Sequence, residues 1–132
     1  MKIKRIDHVG VIVASLARSQ SLITEGFGLE PIRHVKRAEL MSTFFQCGGA
    51  DVEMIEVIDP EMRQQRLGEG REACVEHIAF EVESLDDALA ALEGLGVKTS
   101  GPPQTSPAFT SVWTDPATSG GVIYQFLERR SS

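Results

Sequence analysis

The chain has 132 residues, enough to bury one sizeable core and too few for two large domains. Hydrophobic residues make up 42% and charged residues 24%, ordinary values for a globular protein that exclude a disordered or fibrous class. A formal charge of -6 excludes a phosphate-backbone binder, which needs a basic surface, so nucleic acid is not an expected partner.

No apolar run approaches the roughly 18 residues of a membrane span, so no membrane partner is expected. The opening Met1-Lys2-Ile3-Lys4-Arg5 is basic but leads into a polar-apolar alternation carrying His8. It reads as a strand and not as a signal peptide, which makes a cytoplasmic location the default. Cys47 and Cys74 could pair, but without a secretion signal they read as reduced, buried thiols.

Alternating apolar residues predict a first strand over 6–13. Ser15 through Glu25 follows as a helix stopped by Gly26 and Gly28. Three strands are expected near 30–35, 40–47 and 51–57. The segment 59–73 is charged and lacks alternation, so it reads as a linker. Its arginines, Arg63, Arg66 and Arg71, read as a solvated face, with contact to a phosphorylated ligand as the other reading. A strand over 77–82 comes next. Ser84, with Asp87 three residues on, resembles a capping box, and Leu85, Leu89, Leu92 and Leu95 keep helical spacing until Gly94 and Gly96. Strands near 97–99, 109–114 and 121–127 complete the chain, with Gly101-Pro102-Pro103 and Asp115-Pro116 supplying turns.

The two halves repeat one another. Asp7-His8-Val9-Gly10-Val11 matches Glu76-His77-Ile78-Ala79-Phe80, and the nine residues from Gly48 to Glu56 align without a gap with those from Gly120 to Glu128. A period of about half the chain means a duplicated module. The expected class is α+β: a single domain over 1–132 built from two tandem βαβββ modules, at about 1–58 and 74–132, joined by the linker.

Side chains alternate across a strand, so parity decides which residues share a face. Val9, Val11 and Val13, like Ile78, Phe80 and Val82, form apolar rows that pack under the helices. His8 and Gly10 then face the other way, as do His77 and Ala79. In the last strand of each half, Val52 and Met54 oppose Asp51, Glu53 and Ile55, while Val122, Tyr124 and Phe126 oppose Ile123, Gln125 and Leu127. If the sheet curls so that the faces away from the helices line a cup, His8, Glu53, His77 and Gln125 converge. Two imidazoles, a carboxylate and an amide oxygen suit a divalent cation, with Zn, Co, Ni, Mn and Fe all compatible. One histidine in an apolar strand usually reads as a core residue; two at equivalent repeat positions, each with a polar partner, favour a metal.

The stretches IDHVGVIVASL, VEHIAFEVESLDDALAALEGLGV and DPATSGGVIYQFLE resemble the vicinal oxygen chelate superfamily of glyoxalases, dioxygenases and related enzymes, most closely methylmalonyl-CoA epimerase. The resemblance implies a curled mixed sheet around a metal, ligands at His8, Glu53, His77 and Gln125, and a homodimer, with which the acidic surface and open sheet edges agree. Epimerases of this pattern often carry glutamine where Glu53 stands, and both epimerases and glyoxalases carry glutamate where Gln125 stands. Either the site works with one base in a different arrangement, or carboxylate and amide have changed places between the halves, which is the more economical account.

The function implied is a metal-dependent epimerase or isomerase acting on an acyl thioester through a metal-stabilised enolate. Alternatives are a glyoxalase I-type lactoylglutathione lyase, an iron-dependent dioxygenase using His8, His77 and Glu53, and a binding protein without turnover. Glu53 is the expected proton-transfer base, because an amide at 125 cannot take a proton. Glu39 is a candidate for the second proton-transfer group, although both it and Glu81 also read as surface carboxylates. Ser119, Gly120 and Gly121 are candidate substrate contacts through their backbone amides, with a plain turn as the other reading. Trp113 reads as core, or else as closing the pocket's mouth.

Overall fold

The computed structural model describes residues 1–130. The chain divides into two compact units, one formed by His8–Glu76 and the other by Met1–Asp7 together with the stretch from His77 onward. Each has the expected strand, helix, three-strand order, so the class is α+β with two βαβββ modules.

In the first unit, β1 (Ile3–Val13) leads into α1 (Leu16–Ser21), which continues as a π-helical turn over Leu22–Gly26. The single helix expected over this stretch is therefore α-helical only to Ser21. Strands β2 (Glu30–Lys36), β3 (Leu40–Cys47) and β4 (Ala50–Val57) follow, and the unit's strand order is β2-β3-β4-β1. β1 pairs parallel with β4, the segment between them supplying the crossover that a parallel pair needs, while the β3 and β4 pair is antiparallel. A two-residue loop, Gly48-Gly49, joins β3 to β4. Gly48 sits at φ 64, a left-handed conformation that a tight hairpin needs and glycine supplies without strain.

Strand parity separates two apolar faces in this unit. Val11, Val13, Val52, Met54 and Phe45 pack with Leu16 and Ile23 on the helix side. On the opposite face, Ile12, Ile55 and Val57 pack with Leu67 and Met62. This second cluster exists because the expected linker contains a helix, α2 (Pro60–Arg66), started by Asp59, whose carboxylate accepts the Met62 N–H at 2.9 Å. Two of the three linker arginines are half-buried and held by partners in the protein. Arg63 donates to the carbonyls of Ala14 and Val57, and Arg66 grips the Glu76 carboxylate with Nε and Nη2 at 2.8 and 2.7 Å. Apolar rungs of the sheet thus lie under α2, next to the polar rungs carrying His8 and Glu53.

In the second unit, β5 (Ala73–Val82) precedes α3 (Leu85–Gly94), then β6 (Gln104–Thr105), β7 (Phe109–Trp113) and β8 (Ile123–Arg129), in the order β5-β8-β7-β6. Val82, Leu85, Ala88, Leu92, Val112 and Phe126 form its core. The strand expected near 97–99 is reduced to a single bridge between Thr99 and Thr114, and the edge position falls to Gln104–Thr105. Three residues before a Gly-Pro-Pro turn make too short a ladder to hold the edge.

At 11 and 10 residues, β1 and β5 are longer than the usual strand of about five or six, and each serves both units. Residues 1–7 join the second unit, where the Glu83 N–H donates to the Lys2 carbonyl at 3.1 Å. This placement changes the reading of Glu81, which is buried and not a surface carboxylate. Its Oε1 accepts from Arg5 Nε at 3.0 Å, and the buried Asp7 accepts from Arg5 and Arg129 at 2.9 and 2.6 Å. Two buried carboxylates are tolerated because each is paired.

Both helices are anchored the same way. Ser15 and Ser84 cap the third N–H of α1 and α3, while Glu56 from β4 and Glu128 from β8 accept the first N–H, from Leu16 and Leu85, at 2.8 and 2.7 Å. The carboxylates take donors that a helix end otherwise leaves unsatisfied, and their charge suits the helix N-terminus. Glu128→Ala should lower stability by about 1–3 kcal/mol by leaving the Leu85 N–H without a partner, measurable by urea denaturation. A midpoint equal to that of the parent chain would show that water replaces the carboxylate without loss.

Candidate functional site

Each unit carries a half-site built on the same three-strand pattern. In the first, Gly10 of β1 is the register partner of Glu53 in β4, and Glu53 that of Phe44 in β3. His8 is two residues from Gly10, hence on the same face, and the small residue leaves room for the glutamate to lean toward it. His8 is 4% exposed, and its Nε2 lies 3.5 Å from Glu53 Oε1. The Phe44 ring meets the His8 ring edge to face, centroids 5.3 Å apart at 79°. On β2, Arg33 is the partner of Phe44 and carries its guanidinium carbon 4.0 Å above the ring centroid.

The second half-site repeats this plan. Ala79 of β5 pairs with Gln125 of β8, and Gln125 with Trp113 of β7. His77 is fully buried, and Trp113 abuts its ring at 4.6 Å and 81°. Trp113 is therefore a half-buried residue on the face away from α3, holding the imidazole and not filling the helix-side core. Gln125 is 3% exposed, and its Oε1 is buried with no hydrogen-bond partner. A buried carbonyl left unpaired costs about 1–3 kcal/mol, so it marks either strain or a ligand. The aromatic contacts against both imidazoles restrict ring orientation.

Arg66 belongs to the first half-site's surroundings. The Glu76 hydrogen bonds hold its guanidinium above its ordinary pKa, against the opposing effect of burial, with the Glu76 charge and then that of Glu53 adding to the rise. Glu76 and Asp7, the acidic residues preceding the two histidines, are thus both clamped by arginine.

Glu39 and the 119–121 turn are not members of the two cross-strand rows. Glu39 lies five residues before Phe44, about 16 Å along the strand direction, where its carbonyl accepts from Ile58 and Asp59 at 2.7 and 3.1 Å. Ser119, Gly120 and Gly121 form the turn before β8. The Ser119 hydroxyl bonds to the Val122 carbonyl at 2.7 Å and to Thr114 Oγ1 at 2.9 Å, and the Gly121 N–H to the Pro116 carbonyl at 2.8 Å. That hydroxyl and that amide are engaged in closing the turn. Phe44 and Arg33 went unseen in the sequence. Counting back from the Gly48-Gly49 hairpin finds Phe44 opposite Glu53; Arg33 has no such signal, because a register shift intervenes between Pro31 and Arg33.

The module pattern and the paired half-sites define the chain's class. A profile of the Glyoxalase/Bleomycin resistance protein/Dioxygenase superfamily matches residues 5–120, and the chain belongs to that superfamily. It is 30% identical over 110 residues to the Bacillus subtilis protein YwkD, covering 81% of this chain and 83% of that one. Among solved structures it is similar to methylmalonyl-CoA epimerase from Mycobacterium tuberculosis, with TM-score 0.85, 18% identity and coverage of 98% and 90%. It is also similar to a hypothetical protein, BH1468, from Bacillus halodurans, with TM-score 0.82, 20% identity and coverage of 97% and 96%. At these identities the structural likeness establishes the fold. Among the described residues, no helix is long and apolar enough to cross a membrane.

Proposed function

We propose that the protein is a divalent-metal-dependent epimerase or isomerase acting on an acyl thioester of the methylmalonyl-CoA kind. His8, Glu53 and His77 are the candidate ligand set, and Gln125 is added to it from its repeat position opposite Ala79. The observation that carries this reading is the buried, unpartnered Gln125 carbonyl oxygen, at the repeat position of Glu53 and beside a buried histidine. Such an oxygen suits a hard or borderline cation, and neutral imidazoles with one carboxylate complete a common donor set. The fold shared with the Mycobacterium tuberculosis epimerase supports the choice of substrate class.

When bound, the cation supplies Lewis-acid polarisation of a carbonyl, which acidifies the adjacent C–H. Of the chain's own residues, the four-residue set supplies the proton acceptor, and return of a proton to the opposite face of the carbon requires a donor outside it. Glu53 is the carboxylate of the set, and it receives the α-proton; Gln125 has no basic atom and contributes only its oxygen. Phe44 and Trp113 pack against the two imidazoles and restrict their rotation.

Metal analysis of the purified protein, together with α-proton exchange of methylmalonyl-CoA in deuterated water followed by NMR, tests the proposal. One equivalent of a divalent cation and progressive loss of the α-proton signal are expected. A bound cation without exchange favours a ligand-binding protein, and a chain that takes up no divalent cation overturns the reading.

A further inference from the structure

We infer that Arg33 is the substrate's carboxylate-recognition residue, an inference that rests on the function proposed above. Glu53, Phe44 and Arg33 form one row across three adjacent strands, on the face opposite α1. The Arg33 guanidinium lies over Phe44 at 4.0 Å, and the same ring abuts His8. Among the described residues no carboxylate lies within ion-pair distance of Arg33, although the chain as a whole is acidic.

Stacking engages the face of a guanidinium and leaves its N–H donors pointing outward in the plane, free to grip a carboxylate with two parallel hydrogen bonds. It also orders a side chain that otherwise loses much rotamer freedom on binding, so the donor fork is set before the ligand arrives. The position is suited to an anion. Arg33 stands two strands from Glu53 in the same row, so a substrate whose carbonyl is held beside His8 and Glu53 would extend a neighbouring carboxylate along that row toward Arg33. The substrate class is an acyl compound bearing a free carboxylate close to the reacting carbonyl.

Malonate, which carries such a carboxylate, and acetohydroxamate, which chelates cations without one, are the probes. Isothermal titration of the cation-loaded protein should show Arg33→Gln weakening malonate about tenfold or more while acetohydroxamate affinity, cation affinity and melting temperature stay unchanged. Arg33→Lys should fall between the two, since it keeps the charge and loses the fork. Equal malonate affinity in Arg33→Gln and the parent chain overturns the inference, as does an equal loss for both probes. If the parent chain takes up no cation, the proposed function fails. The malonate ratio between parent and Arg33→Gln, measured on the metal-free proteins, then decides the role of Arg33 separately.

Discussion

Glu53→Gln should take up its cation and yet lose about 10²- to 10⁴-fold of the α-proton exchange rate, the range that a positioned general base contributes. The substitution preserves shape and an oxygen donor while removing the basic atom. It also tests the exchange of roles between the halves, because with glutamine at 53 and at 125 no carboxylate remains in the proposed set. Metal content and NMR-monitored exchange, measured on one preparation, separate the two effects. Exchange at the parent rate in a cation-loaded variant would remove Glu53 from proton transfer and move the search to residues outside the four.

Gln125→Leu should shift stability and cation affinity in opposite directions. In the metal-free protein the buried Gln125 oxygen is an uncompensated polar atom, so an apolar side chain of similar size should raise stability by about 1–2 kcal/mol. Cation affinity should drop at least as far as the 10- to 100-fold lost when a group merely supporting a ligand is removed. Urea denaturation in the presence of a chelator reads the first effect and competition against a metallochromic dye the second. A variant that is both less stable and equally tight for the cation would mean that Gln125 is a packing residue, and the observation carrying the proposed function would be gone.

Much of the half-site plan was legible because it follows from strand parity. Once 6–13 and 77–82 are read as strands with valine and phenylalanine rows under helices, His8 and His77 have no choice but the opposite face, and the register puts Gly10 and Ala79 beside Glu53 and Gln125. What escaped was set by contacts between segments distant in the chain. The charged run after Asp59 looked solvated because its arginines find partners only in the folded unit, Arg63 on backbone carbonyls and Arg66 on Glu76. Glu81 looked exposed because its partner Arg5 lies 76 residues away in sequence. The π-helical turn after Ser21 and the displaced edge strand at 104–105 are likewise decided by packing, since neither carries a periodicity of its own.

The sequence by itself therefore determined the duplicated βαβββ plan and the faces of the strands, because both depend on periodicities of two and of half the chain that any local reading recovers. Only the tertiary structure decided which charges are buried, which aromatic rings hold the imidazoles, and that the Gln125 oxygen is left without a protein partner. These depend on register and on ion pairs spanning up to 122 residues, where pairing in space bears no fixed relation to separation along the chain.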